Sequence, residues 1–356
     1  MEIGIDSFVA TTGDPLTGAK VDPVVRLRNL LEEVETADRV GLDVFGIGEH
    51  HRQEFLDSAP AVLLAAAAAL TQRIRLTSAV TVLSAADPVR VFQEFATLDL
   101  ISGGRAEIIA GRGSFTEAYP LFGLDLRDYD SLFDEKLRLL LAIRDQPRVT
   151  WSGKYRPPLR DQEIHPRPLQ NPLPIWVGVG GSPESVIRAG SLGLPLMIAI
   201  IGGQPDRFRP LVDLYREAGA MSGHAPGKLK VGIHALGSFA GTTQEARDDY
   251  FPGYERMFGQ IGKERGWPAI RRSHFDALCD GEGALIIGDA REGVEKILHY
   301  NKVLGGLDRI TIQMSPGTLP HPKALKAIEI LGTEVAPAVR EKLGILAQPS
   351  VTARSV

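Results

Sequence analysis

Directly behind an apolar run, the chain reads Gly46-Ile47-Gly48-Glu49-His50-His51-Arg52. A carboxylate beside an imidazole can move protons near neutral pH, since an unperturbed histidine titrates at about 6.5. Neighbouring residues of a strand face opposite ways, so His50 and His51 cannot both meet one ligand unless the chain turns there. We expect His50, with Glu49 beside it, to face the chemistry and His51 to be structural. The alternative is a polar strand exit without function. The same alternation disfavours a metal-dependent hydrolase. Two ligating histidines on a strand need one residue between them, and no other histidine pair lies close in sequence. No metal is expected.

A second chemistry is anion binding. Gly111-Arg112-Gly113 frees the backbone on both sides of a guanidinium that offers a two-pronged fork to phosphate. Farther on, Val177-Gly178-Val179-Gly180-Gly181-Ser182-Pro183-Glu184-Ser185 ends a strand in glycines and begins a helix. That junction presents free N–H groups, the positive end of a helix dipole and two hydroxyls. Gly180, Gly181, Ser182 and Ser185 join Arg112 as candidate phosphate ligands, and neighbouring strands would let them clasp one phosphate. The plainer readings are a surface salt bridge for Arg112 and ordinary turn geometry for the glycines. Small residues at 77–79 would let a flat ligand approach, or would simply pack against a helix.

Something has to carry these groups. Short β-rich runs at 3–9, 43–47, 74–83, 106–110, 175–179, 195–200, 230–239 and 309–314 alternate with stretches of helical period, the pattern of parallel strands joined by crossover helices. Eight such strands predict a (β/α)8 TIM barrel, an α/β fold whose chemistry sits at the C-terminal strand ends. Asp22-Pro23, Asp87-Pro88 and Ser182-Pro183 each place a capping side chain before a proline at the first helical position. The stretch 146–174, rich in Pro, Arg and aromatic residues, reads as an insertion over the barrel mouth, and its part from Trp151 to Pro174 as the element that selects the substrate. Residues 266–288 look similarly irregular. One domain over 1–346 and a flexible tail over 347–356 complete the expectation.

Bulk properties narrow the partners. Of 356 residues, 44% are hydrophobic and 24% charged, enough for one large core, and the formal net charge of −4 is spread along the chain. That distribution gives no footprint for nucleic acid or an anionic membrane, which leaves a small molecule. Cys279 is alone, so neither an intrachain disulfide nor a thiolate zinc cage can form, and a reducing cytoplasmic setting is expected. The N-terminus lacks a secretory pattern, and the apolar run 59–70 is too short to span a bilayer.

Taken together, Gly48-Glu49-His50-His51, Asp87-Pro88-Val89-Arg90, Leu98-Asp99-Leu100-Ile101-Ser102-Gly103-Gly104-Arg105 and Gly111-Arg112-Gly113 resemble the bacterial luciferase-like flavin-dependent oxidoreductases, over residues 3 to about 343. The resemblance implies FMN, reduced in its working form, at the C-terminal mouth, and a monooxygenase that delivers one atom of dioxygen to a small organic substrate. It implies His50 as the proton-handling histidine and Glu49 as a carboxylate near the flavin. It places a non-prolyl cis peptide under the flavin ring at Ala79-Val80, and the FMN phosphate on Arg112, Gly181, Ser182 and Ser185. Gly180-Gly181 departs from the side chains some relatives carry. A homodimer and, in some systems, a separate flavin reductase belong to the same expectation. Two alternatives stay open: a deazaflavin-dependent dehydrogenase on the same barrel, and a non-catalytic flavin-binding protein.

Overall fold

In the computed structural model, which describes residues 1–11, 21–314 and 319–344, eight parallel strands close on themselves. They are β1 (Glu2–Ser7), β2 (Val44–Ile47), β3 (Arg75–Ser78), β4 (Ala106–Gly111), β5 (Ile175–Val179), β6 (Leu196–Ile200), β7 (Val231–Phe239) and β8 (Arg309–Gln313). Each pairs with the next in parallel register, and β8 returns to β1 through Glu2↔Arg309 and Asp6↔Gln313. This is the expected TIM-barrel architecture.

Period-two alternation decides what fills the barrel. Outward-facing Phe45, Leu76 and Ile108 pack in one core with Leu30, Val34, Phe92, Phe95, Leu137 and Leu140 of the surrounding helices. Each such side chain contributes about 1.5–3 kcal/mol by leaving water. Inward, the N-terminal end is plugged by charge: Arg309 reaches Glu107 at 2.7 Å and Glu2 at 2.6 Å and lies 4.3 Å from the centre of the Trp176 ring. Free space inside the barrel therefore lies toward the C-terminal strand ends.

The helix starts follow the capping chemistry at two junctions. Asp22 accepts hydrogen bonds from the N–H groups of Val24 and Val25, and Asp87 from those of Val89 and Arg90. Ser182 precedes helix Pro183–Ser191 as expected, but its side chain caps nothing. Its hydroxyl is used elsewhere, as described below.

Several elements differ from expectation. The run 74–83 is not one strand: β3 stops at Ser78, the Ala79-Val80 peptide is cis, and pairing resumes at Thr81–Val82 against β4. The stretch 146–174 is not a cover for the mouth. It forms an antiparallel hairpin of Arg148–Trp151 and Leu159–Glu163, with Trp151 and Leu159 packed on the core and the alternate positions exposed. The hairpin tip is held by Glu135, which accepts from the N–H of Lys154 at 2.6 Å and of Tyr155 at 3.0 Å, while Arg156 reaches Asp87 at 3.0 Å. It thus runs up the flank of helices Pro88–Ser102 and Tyr129–Asp145. Within 266–288, helix Arg272–Cys279 and strand Ile286–Gly288, which extends the sheet beside β7, replace the expected loop. The mouth is covered by helix Thr243–Arg265 instead. The expected tail, 347–356, lies outside the described residues. Among the described residues, no helix is long and apolar enough to cross a membrane.

Candidate active site

A cavity of about 450 Å³ opens at the C-terminal strand ends. The turn after β2 sets His50 into its wall, among the rings of Phe8 and Phe55, each centred 4.5 Å away, and Phe115 at 5.4 Å. His50 Nδ1 lies 2.8 Å from Asp57 Oδ2, and the His50 backbone N–H donates to Asp57 Oδ1 at 3.1 Å. Burial raises the pKa of the Asp57 carboxyl, an effect opposed by the His50 hydrogen bond. An ionised carboxylate only accepts, so Nδ1 carries the hydrogen and Nε2 is the nitrogen left to the cavity, without a partner among the described residues.

Glu49 also reaches the cavity wall, but both its oxygens are engaged. Oε2 accepts from the Val82 N–H at 2.8 Å and Oε1 faces His51 Nε2 at 3.2 Å. Glu49 thus ties the end of β2 to the strand after the cis bond. His51 turns away from the cavity and stands edge-on to Phe122, 5.1 Å between ring centres.

Ala79 and Val80 form the floor beneath this wall. Val80 projects inward over Gly111 and Gly178. A Cβ on either glycine would come within 2.6 Å of a Val80 methyl, closer than van der Waals contact permits, so both positions must stay bare to seat it. Ile109, Trp176 and Met197 pack around Val80. Gly111 and Gly178, read from the sequence as glycines at strand ends that serve an anion site, thus also make the bed for one valine.

At the rim, Arg112 gathers the anion candidates. Its Nη2 donates to Ser185 Oγ at 2.9 Å and Ser182 Oγ at 3.2 Å, its Nη1 pairs with Asp130, and its guanidinium lies 5.0 Å from the centre of the Tyr129 ring. Gly180 forms part of the cavity wall, where a Cβ would meet open space, and Gly181 takes a φ of 124°, which side-chain-bearing residues rarely adopt. Because the Ser182 hydroxyl serves Arg112 and Ser185, the first turn of helix Pro183–Ser191 has no side-chain cap. An uncapped helix start, two hydroxyls and a guanidinium converge, which fits a phosphate; the exposed Asp130 carboxylate is the group a phosphate would displace.

A second imidazole–carboxylate pair escaped the sequence reading. His234 Nδ1 lies 2.7 Å from Asp6 Oδ2, Thr311 Oγ1 donates to the same oxygen at 2.7 Å, and all three residues line the cavity. Polar residues at inward positions of otherwise apolar strands were the available signal. Met257, Phe258, Ile261, Arg265 and Trp267, which close the mouth, carried none. Among the described residues, no group of three or more His, Cys, Asp or Glu side chains is arranged to hold a metal.

The model of the family described as luciferase-like monooxygenase matches residues 1–306. The chain belongs to that family. It is similar to 4-hydroxyprotoasukamycin monooxygenase of Streptomyces nodosus subsp. asukaensis, 27% identical over 317 residues, 84% of each chain. It is also similar to an F420-dependent glucose-6-phosphate dehydrogenase of Kineococcus radiotolerans, 31% identical over 210 residues, 57% of this chain and 61% of the relative. Among solved structures, the oxygenating constituent of 3,6-diketocamphane monooxygenase from Pseudomonas putida, in complex with FMN, superposes with a TM-score of 0.76 at 20% identity, over 95% of this chain and 98% of that one. As a luciferase-like protein, the chain is an oxidoreductase of the flavin-using kind.

Proposed function

We propose that this luciferase-like protein is an FMN-dependent monooxygenase that works with reduced FMN and dioxygen on a small organic substrate. The observation that carries the reading is the Arg112, Ser182 and Ser185 cluster at the rim, opening into a cavity whose wall holds the Nε2 face of His50. Bound flavin would supply the redox chemistry. The chain's own part is binding, orientation and proton handling. Arg112 and the two serines hold the phosphate, and Val80 and Ala79 support the ring. His50 holds or moves a proton at Nε2, and Phe8, Phe55, Phe115, Phe258 and Trp267 keep water out. The proposal includes a homodimer in the cytoplasm, with reduced FMN supplied by a separate reductase.

Titration of the purified protein with FMN and with F420, followed by absorbance, decides the cofactor. We expect FMN to bind roughly tenfold tighter or more, a gap of about 1.4 kcal/mol. The reverse order would support hydride transfer by a deazaflavin enzyme. A substrate panel run with reduced FMN and labelled dioxygen then distinguishes a monooxygenase, whose product carries the label, from a protein that only binds flavin.

A further inference from the structure

We propose that Asp6, His234 and Thr311 form a recognition site for a hydroxyl group on an otherwise apolar, ring-sized substrate. This rests on reading the cavity as a flavin site and names the class of molecule that shares it. Strand order separates the two halves. The anion cluster belongs to β4 and β5, whereas Asp6, Thr311 and His234 belong to β1, β8 and β7, across an eight-stranded barrel. On the anion side Gly180 faces open space, and Ala79 and Val80 line the wall between the two halves, which leaves an apolar face and room for a flat ring. The opposite side is where polar groups concentrate.

Those groups are held in one arrangement. Asp6 Oδ2 receives both the Thr311 hydroxyl and His234 Nδ1, so the imidazole hydrogen sits on Nδ1. The ring lies parallel to Phe8, 7° between planes and 5.8 Å between centres, which fixes the direction of its other nitrogen. Nε2, an acceptor in this tautomer, has no partner among the described residues, and neither has the side-chain amide of Gln313, the next inward position of β8. Asp6 Oδ1 is buried and also lacks a partner among the described residues. Leaving a buried polar atom unpaired costs about 1–3 kcal/mol, and an apolar trio would fill the same space without that cost. The groups around them, Phe8, Phe55, Leu236, Met257 and Phe258, are apolar. An acceptor of fixed direction in such a wall selects a ligand that donates from O–H and rejects its analogue without one, because the acceptor is then left dry and unpaired.

The test uses 4-methylphenol and 4-methylanisole, which differ by replacement of the hydroxyl hydrogen with methyl, at neutral pH, where the phenol keeps its proton and can donate, and measures their affinity for the FMN-saturated protein. We expect the phenol to be preferred by roughly tenfold or more in the wild type. The preference should fall to about threefold or less in His234→Phe, and likewise in Asp6→Asn, where an amide can donate to Nδ1 and turn Nε2 into a donor. FMN affinity should stay within about twofold and melting temperature should be retained. If His234→Phe does not fold, His234→Gln replaces it. No preference in the wild type, or preference surviving in both variants, overturns the proposal. So does a parallel loss of FMN affinity, which would assign the trio to the flavin. If the protein binds no FMN yet keeps a His234-dependent preference for the phenol, the flavin reading fails and the recognition site stands.

Discussion

One carboxylate, Asp57, grips both the ring and the backbone of His50, at 2.8 Å and 3.1 Å. The clamp joins residues seven positions apart and sets both ring plane and tautomer, so Nε2 cannot turn from the cavity while Asp57 is ionised. His50→Ala should lower turnover of an identified substrate on the order of 10²–10⁴-fold, the usual contribution of a positioned acid or base, with FMN affinity nearly unchanged. Asp57→Asn should lower turnover through the tautomer alone, with His50 still in place. His51→Ala should do the opposite and cost melting temperature more than rate, because His51 braces Glu49 and Phe122 outside the cavity. A folded, inactive His51→Ala beside an active His50→Ala would reverse the assignment.

Arg112 makes a test by ligand pairs. Its guanidinium would address only the phosphate, and a charged hydrogen bond contributes about 1.5–3 kcal/mol, so Arg112→Ala should weaken FMN about 10–150-fold and riboflavin hardly at all. Asp130→Asn should tighten FMN by a few-fold, since the carboxylate now occupying Nη1 is removed together with its repulsion of the phosphate. Equal losses for FMN and riboflavin, or weaker FMN binding in Asp130→Asn, would move the phosphate elsewhere.

The barrel was legible because period two and period 3.6 are written locally: apolar runs such as Ile175–Val179 stand out, and Asp22 and Asp87 mark helix starts. So were Arg112, Ser182 and Ser185, since glycines announce where a backbone can approach an anion, and the structure brings these three together. What pairs across the barrel was not legible. Asp6 and His234 are 228 positions apart, and only closure of β7 and β8 onto β1 makes them neighbours. The hairpin at 148–163 was misplaced because composition shows an insertion but not the face of the barrel it follows; that was set by Glu135 of the preceding helix and by Asp87, residues outside the insertion.

Lys296 carries a prediction about stability. Its ammonium is buried against the carbonyls of Asp280 and Gly283, and burial pulls its pKa from 10.5 down to about 8. Between those two values the unfolded chain binds the proton and the folded chain has released it, so this group's contribution rises with pH and is lost as pH falls through about 8. Urea unfolding of the wild type against Lys296→Met should therefore show the difference moving toward the wild type, on the order of 2 kcal/mol, from pH 7.5 to pH 10. A flat difference would mean that the ammonium stays charged in the folded protein.

The cover of the cavity is latched by Arg52. It binds Glu264 of helix Thr243–Arg265 at 2.6 Å and Glu117 of the loop after β4 at 2.7 Å, with Glu54 at 3.3 Å and Phe115 under the guanidinium at 4.7 Å. The Glu264 hydrogen bond is the largest influence on the guanidinium and raises its pKa. One cation thus joins three carboxylates on separate segments, and the half of the helix it secures carries Met257, Phe258 and Ile261 over the cavity. Removing the cation leaves those carboxylates facing one another, so the loss should appear as local opening with little effect on global unfolding. Arg52→Ala should speed amide hydrogen exchange in residues 254–265 by roughly three- to tenfold while exchange in the barrel strands stays unchanged. Raising salt should bring the wild type partway toward the variant, because the network is partly exposed. If exchange over the helix does not respond to Arg52→Ala, the helix's other contacts, those of Met257 and Phe258 together with Gln260 to Glu54 and Arg265 to the Ser114 carbonyl, hold the cover, and the latch is incidental.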